Sequence, residues 1–369
     1  MPAYRERDIK SIKEEMMRKF YVFESICSEV FHSQFNSAYL SALEGDIVFS
    51  STERHWFYIK KKLKKNIQWK RESQRKKTIL SNVLWALKNS KFMAKKAELI
   101  FLSSDIFIFY RCIILKLLGF ENIKYVTHAD LENIKNPRKI KDYVLFFRRH
   151  YFLMRLLDAM DIKIVLLSRV IYNNLCEYIK IKNYEIIEHP YLYDEVFTKK
   201  KYERENIKIA FLGLPTKEKG FFWLYNELKK NNKIKNCQFY LLGKCENVNY
   251  ARDRFVFSFE YLDEITDDDI KKELSRMDYV IFPFAEEQYK LRASGTVFDA
   301  LNARKPILVT NNLFIRDVMG GEEPLGLIFD DNFGIEQLIN KLGAIDEKKY
   351  EELVSNVDDF VKKRIINAR

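Results

Sequence analysis

Short apolar, β-branched runs recur along the chain, separated by longer stretches in which apolar positions return at helical spacing. In the first half they are DIVF (Asp46–Phe49), ELIFL (Glu98–Leu102), IKYVT (Ile123–Thr127) and KIVLL (Lys163–Leu167). In the second half they are IKIAFL (Ile207–Leu212), FYLL (Phe239–Leu242), YVIFPF (Tyr279–Phe284) and PILVT (Pro306–Thr310). Runs that are apolar throughout predict strands buried on both faces, as in parallel sheets. Their alternation with amphipathic helices predicts α/β architecture: two Rossmann-like, doubly wound domains, covering residues 1–200 and 201–369. Residues 4–42 predict mainly helix, with no opening strand and no Gly-rich first turn. Asp267, Asp268 and Asp269 follow Thr266 at the start of a predicted helix, where its dipole favours carboxylates, and read as a cap. A helix is predicted from about Lys348 to Asn367.

A length of 369 residues suits two domains. Hydrophobic residues make up 47% and charged residues 31%, which excludes a disordered chain, and only 11 Gly and 7 Pro argue against a loop-rich β fold. The five cysteines are scattered without metal-ligand spacing and read as free thiols of a reducing compartment. The N-terminus lacks an apolar signal region, and Ile106–Phe120 is broken by Arg111 and Lys116 and too short to span a bilayer. A cytoplasmic protein, peripheral on the inner face of the cell membrane, is the expectation.

The net charge of +12 is unevenly spread. Residues 1–200 carry 37 Lys and Arg against 23 Asp and Glu, whereas the remainder carries 27 against 29. Residues 51–80 alone hold eleven basic residues, among them Lys60, Lys61, Lys62, Lys64 and Lys65, and Arg75, Lys76 and Lys77, against Glu53 and Glu72. Aromatic residues including Trp69 are interleaved. This pattern points to apposition against an anionic membrane, and the bland alternative is a solvated helix face. No nucleic-acid fold signature accompanies the charge.

Candidate chemistry concentrates in YKLRASGTVFDALNARKPILVTN, from Tyr289 to Asn311. After a strand ended by Pro283, a loop carries Arg292, Ser294, Gly295 and Thr296 into a helix beginning near Val297. Small residues there let backbone N–H groups approach an anion at a helix N-terminus, which the macrodipole also favours. An ordinary connection, with Gly295 at positive φ and Ser294 as N-cap, is the alternative.

From about Asn206 to Asn311 the chain resembles the C-terminal domain of GT-B fold, nucleotide-sugar-dependent glycosyltransferases. The segments IKIAFLGLPTKEKGF, FYLLGK and YVIFPF to KPILVT fall in that family's order. The resemblance implies an interdomain cleft, a C-terminal helix crossing back to the first domain, and a nucleotide-diphosphate sugar as donor. Gly213 and Lys219-Gly220 match its first motif, which makes Lys219 the donor-phosphate lysine. Leu214 stands where an arginine is usual, and Arg292 is the candidate replacement cation, with Lys217 the alternative. Of two glutamates separated by seven residues in retaining members, the second corresponds to Asp299 and the first to Leu291. The Tyr289, Arg292, Ser294, Gly295 pattern is similar to a branch of bacterial polysaccharide glycosyltransferases.

YVTHAD (Tyr125–Asp130) resembles the segment by which such enzymes bring an imidazole to the reacting sugar, making His128 and Asp130 the catalytic candidates. His55, in a loop leading into the basic stretch, is a second and weaker one. No metal-ligand or Walker motif is present, so metal-independent transfer without a cofactor is expected. The reading is a hexosyltransferase-like enzyme acting on a growing, lipid-linked surface glycan. A non-catalytic GT-B-like subunit and a nucleotide-sugar 2-epimerase of the same fold are the alternatives.

Overall fold

The computed structural model describes residues 18–27, 30, 32–72, 78–135, 149–195, 201–231, 234, 236–244, 248–259, 265–285, 288–320, 324–329 and 334–367. Residues 4–17 of the expected N-terminal helix, Arg75, Lys76, Lys77 and Cys245 lie outside the described residues. Contacts divide the chain into two units, Met1–Tyr191 with Leu291–Ala293, and Leu192–Lys290 with Ser294–Arg369.

The first unit is built on a sheet in which the described strands are β1 (Lys19–Phe23), β2 (Asp46–Ser51), β3 (Gln68–Arg71), β4 (Glu98–Phe101), β5 (Ile123–Val126), β6 (Lys163–Leu166) and β7 (Tyr184–Ile186). Their order is β3-β2-β1-β4-β5-β6-β7, and every pairing is parallel. The four expected strands are all present. The expectation of no opening strand is corrected: KFYVF forms β1, with Phe20, Tyr21, Val22 and Phe23 buried, paired on both sides. Order reverses between β1 and β4, so their carboxyl ends flank the crevice where ligands of open α/β sheets gather.

The described helices of this unit are α1 (Ser33–Ala42), α2 (Glu53–Lys60), α3 (Ile79–Ser90), α4 (Ile106–Leu117), α5 (Glu132–Lys135), α6 (Arg149–Ala159) and α7 (Arg169–Cys176). The side chains of Thr52, Thr78, Asp105 and Ser168 cap α2, α3, α4 and α7. The basic stretch is not one continuous helix. It divides into α2, a turn holding Lys61, Lys62, Lys64 and Lys65, and the edge strand β3.

At the carboxyl ends of β1 and β3 lies a buried ion pair, Arg111 on α4 with Glu72, at 2.8 Å. Arg111 also donates to Asn82 Oδ1 at 2.7 Å and Ser25 Oγ at 2.8 Å, and its guanidinium lies 4.0 Å from the Trp85 ring. Ser25 Oγ in turn donates to Glu72. This network fastens α3 and α4 to the end of β1.

The second unit holds β8 (Ile207–Leu212), β9 (Cys237–Leu242), β10 (Phe255–Phe257), β11 (Tyr279–Phe282), β12 (Ile307–Thr310) and β13 (Gly326–Phe329), in the parallel order β10-β9-β8-β11-β12-β13. Its described helices are α8 (Phe221–Lys230), α9 (Asp267–Ser275), α10 (Gly295–Asn302), α11 (Leu313–Val318), α12 (Gly334–Gly343) and α13 (Glu347–Asn367). The Asp cluster opens α9 as expected, with Thr266 and Asp269 in a reciprocal capping box.

Helix α13 was expected to cross back to the first domain, with packing on the second as the alternative. It groups with the second unit and packs on its core through Tyr350, Leu353 and Val354. Tyr350 stacks on Tyr202 with ring centroids 4.3 Å apart. Arg304, fully buried just beyond α10, bonds Asn302 O and Asp194 O at 2.7 Å each and Asp358 of α13 at 3.1 Å. Asp194 and Asn302 also clasp each other, backbone N–H to Oδ1 and Nδ2 to carboxylate.

Candidate functional site

Within the second unit, the expected phosphate residues converge where β8, β11 and α10 meet. Gly213 ends β8 at φ 101, and the Lys219 ammonium folds back over its α carbon into the space a Cβ would fill. A Cβ at Gly213 would also lie 3.3 Å from Thr296 Cγ2, so Gly213, Lys219 and Thr296 surround one point. The loop between β8 and α8 is held by Lys219 N–H to Thr216 Oγ1 at 3.4 Å and by Gly220 N–H to Lys217 O at 3.0 Å. Gly220 has φ 73, and its α carbon abuts the carbonyl of Pro283 too closely for any side chain.

Helix α10 begins at Gly295 rather than near Val297. Ser294 occupies the N-cap position, but its hydroxyl pairs with Thr296 Oγ1 at 3.0 Å and caps nothing. Gly295 does not take positive φ, and a Cβ on it would meet nothing within 4 Å. Both departures have one reading: the first turn of α10 is open, like that of α1 and in contrast to the capped α2, α3, α4 and α7. Helix α8, with Gly220 as N-cap, has no side-chain cap either. Two positive helix ends and an ammonium thus face the carboxyl edge of the sheet.

Tyr289 is placed differently from expectation. It is 5% exposed, has φ 59, and its ring stacks on Phe284 at 4.1 Å, which makes it an anchor of the loop. Asp299 is half-buried one turn into α10. Arg292 lies on the short segment grouped with the first unit, where Leu291 is fully buried in the core and donates its N–H to Glu132 at 3.0 Å.

Two supporting residues escaped sequence reading. Asn312 donates to Ala285 O at 3.2 Å and Gln288 O at 2.7 Å while capping α11, and Thr310 Oγ1 donates to Phe284 O. Together they hold the loop after β11. The polar TNN after an apolar strand is the signal, but only the fold shows where those side chains reach.

In the first unit, His128 follows β5 and its Nε2 lies 2.8 Å from Leu102 O. A carbonyl only accepts, so Nε2 carries the proton and Nδ1 is the acceptor. Asp130 does not touch this imidazole. Its carboxylate takes the His128 backbone N–H and Tyr125 OH, each at 2.9 Å, and the Ser104 hydroxyl. Asp130 therefore shapes the loop that presents His128. His55 is fully buried, with Nε2 2.9 Å from Asn36 Nδ2, and belongs to the core.

His32 and His128 rings lie 4.8 Å apart, and Phe35 stands edge-on to His128 and His189. Burial pushes two of these histidines down, His128 well below the usual range and His189 to about 3. Each is neutral in the fold and takes a proton near pH 6.5 when unfolded. Stability from this source is present above about pH 6.5 and is lost as pH falls toward the folded values. We expect the melting temperature of the wild type to drop between pH 7 and 5, and His189→Asn to drop less. Parallel pH profiles would show that these imidazoles do not govern acid stability.

Glu24, Cys27 and His32 also bring a carboxylate, a thiol and an imidazole within 4.8 Å of one another, a grouping the sequence reading did not single out. The Glu24 carboxylate already accepts from Ile26 N, Cys27 N and Asn36 Nδ2 at 2.9–3.1 Å, and its evident task is to hold the turn after β1.

Several lysines assigned to a membrane are engaged within the chain. Lys62 reaches Ser33 Oγ at 2.8 Å, and Lys65 reaches the carbonyls of Ser41 and Leu43 at the end of α1. Lys61 sits 3.9 Å from the Phe57 ring centroid, while Lys60 and Lys64 are exposed. Trp69 is half-buried, stacked parallel to Trp56 at 6.1 Å and bonded to Ser51 Oγ. Among the described residues no helix is long and apolar enough to cross a membrane.

No protein-family model and no curated protein sequence matches the chain. Solved structures do. HepE of Anabaena in complex with UDP and glucose superposes with a TM-score of 0.68 at 10% identity, covering 95% of this chain and 97% of that one. TarM of S. aureus, a mutant in complex with UDP, fondaparinux and α-GlcNAc-glycerol, gives 0.63 at 10% identity, with 95% and 99% covered. A glycosyltransferase from Rickettsia africae gives 0.61 at 13% identity, with 96% and 98% covered. The chain has the α/β, two-domain GT-B fold over nearly its whole length.

Proposed function

We propose that the protein is a glycosyltransferase that moves a sugar from a nucleotide-diphosphate donor to a glycan acceptor. The observation that carries this reading is the convergence of Lys219, Gly213 and Thr296 beside the open first turn of α10. Backbone amides and an ammonium held in place there suit a diphosphate, and they suit it best as it departs and gains charge. Fixed electrostatic stabilisation of a leaving group is commonly the largest catalytic term. Gly295 is required neither by its φ nor by packing within the chain, and close approach of a phosphate to its backbone supplies a reason for it. UDP in HepE and TarM favours a uridine nucleotide as the first to test.

Finer features belong to the same proposal. Arg292 is the second phosphate cation, Asp299 contacts the donor ribose, and neutralisation falls to these side chains rather than to a metal. His128 faces the transferred sugar with a neutral imidazole. The acceptor is a lipid-linked surface glycan, met by the protein as a cytoplasmic, peripheral enzyme.

Titration calorimetry with UDP tests the donor site. Lys219→Ala should weaken binding by about 10- to 100-fold, the worth of one charged hydrogen-bonding partner. Equal affinity in wild type and variant would remove Lys219 from the site. If no nucleoside diphosphate binds the wild type, the transferase reading fails and a non-catalytic GT-B subunit takes its place.

A further inference from the structure

A helix on the surface of an α/β unit normally turns polar residues to water. Helix α3 does not. On its inner side Asn82 and Ala86 are buried and Trp85 packs into the core. On its outer side stand Leu80, Leu84 and Leu87, 69%, 57% and 42% exposed, at the spacing that aligns them on one face. Phe92, 68% exposed, follows just beyond the helix. The charge around this apolar stripe has one sign. From Thr78 to Ala97 there are four lysines, Lys88, Lys91, Lys95 and Lys96, and no acidic residue. All four are exposed.

We infer that α3 lies on an anionic lipid bilayer, its leucines entering the acyl boundary and its lysines meeting the headgroup phosphates. The helix has 12 residues, too few to span a bilayer, for which about 20 are needed, so it rests in the interface plane. Charge decides between occupants. A two-fold contact between copies through this face would set four lysines against the same four, an arrangement that repels. An anionic surface complements both the stripe and its rim. The lipid-contacting element is α3, because its exposed leucines stand beside the exposed Lys88 and Lys91; Lys95 is bonded to Leu118 O, as Lys62 and Lys65 in the turn after α2 are bonded to other groups of the chain. The inference does not depend on the nucleotide site, which lies in the other unit.

Vesicle sedimentation of the full chain tests it, with vesicles of phosphatidylglycerol and phosphatidylcholine compared with phosphatidylcholine alone. Wild type should pellet with the anionic vesicles, and less so at high salt. The triple variant Leu80→Ser/Leu84→Ser/Leu87→Ser should partition about a hundredfold more weakly with an unchanged melting temperature, because it removes apolar surface that folding does not bury. Should that variant fold poorly, Leu84→Ser alone should still lose about tenfold. Lys88→Gln/Lys91→Gln should keep the fold and bind anionic vesicles more weakly. Three results would overturn the proposal. They are wild type staying in the supernatant at low salt, leucine variants binding as well as wild type, and leucine variants abolishing a dimer in a protein that ignores vesicles.

Discussion

Arg111→Met is expected to cost the first unit about 3–5 kcal/mol, the penalty for leaving a buried charge without its partner. Arg111 is 3% exposed and Glu72 8%, and the guanidinium supplies bonds to Glu72, Ser25 and Asn82 at once. Methionine fills much of the volume against Trp85 but satisfies none of those oxygens. Burial already pushes the Glu72 carboxyl up, and Arg111 opposes that shift. Without Arg111 the carboxyl rises further. A carboxylate raised in the fold destabilises above its unfolded value near pH 4.5 and ceases to do so once protonated, so the deficit should shrink toward acid pH. Arg111→Met/Glu72→Leu should recover much of the loss. Denaturant titration by tryptophan fluorescence is the suitable measurement, since Trp56, Trp69 and Trp85, three of the four tryptophans, lie in this unit. A single variant within about 1 kcal/mol of wild type would show the pair to be replaceable.

His128→Ala should lower turnover by about 100-fold or more while leaving UDP affinity unchanged, a split that separates contact with the sugar from contact with phosphate. With Nε2–H committed to Leu102 O, the ring offers Nδ1 as acceptor to a hydroxyl of the bound sugar. Asp130→Asn makes the informative companion. It weakens the support of the His128 backbone without touching the ring, so a smaller loss of turnover is expected, together with lower stability. Transfer assayed with a glycan acceptor measures both. Equal turnover in wild type and His128→Ala would leave the imidazole with a purely structural task.

Strands that are apolar along their whole length were legible in the sequence, because a position buried on both faces tolerates little else. Tyr279–Phe282 is of this kind throughout, and Asp46–Ser51, Glu98–Phe101 and Ile207–Leu212 are so over most of their apolar residues. Those that escaped carry mixed signals. KFYVF directly follows a charged stretch with helical spacing, which drew β1 into a predicted helix. QWKR on β3 is an edge strand, paired by its backbone to β2 alone, and needs no apolar run. The closeness of Gly213 and Lys219 was legible because glycine and lysine spacing is local. The packing of Tyr289 was hidden for a different reason. Its neighbours in sequence suggest a ligand contact, whereas the stacking on Phe284 depends on how the loop doubles back. The outward leucines of α3 were equally hidden, since Trp85, Leu84 and Leu87 look alike until one face is seen to be covered.

The grip of Arg304 gives α13 an importance its position in the chain does not suggest. Helix α10 has its open first turn at one end, where the nucleotide is proposed to bind, and at the other it runs into a buried guanidinium that requires Asp358 and the Asp194 carbonyl. A shortened form of the protein ending ahead of Val357 would strip Val357 and Val361 from a covered surface and leave that cation short of its carboxylate. The helix that carries Ser294, Gly295 and Thr296 would then lose its rear buttress. For anyone trimming the chain for crystallisation or fusing it to a reporter, α13 is part of the foundation of the proposed nucleotide site, to be kept whole.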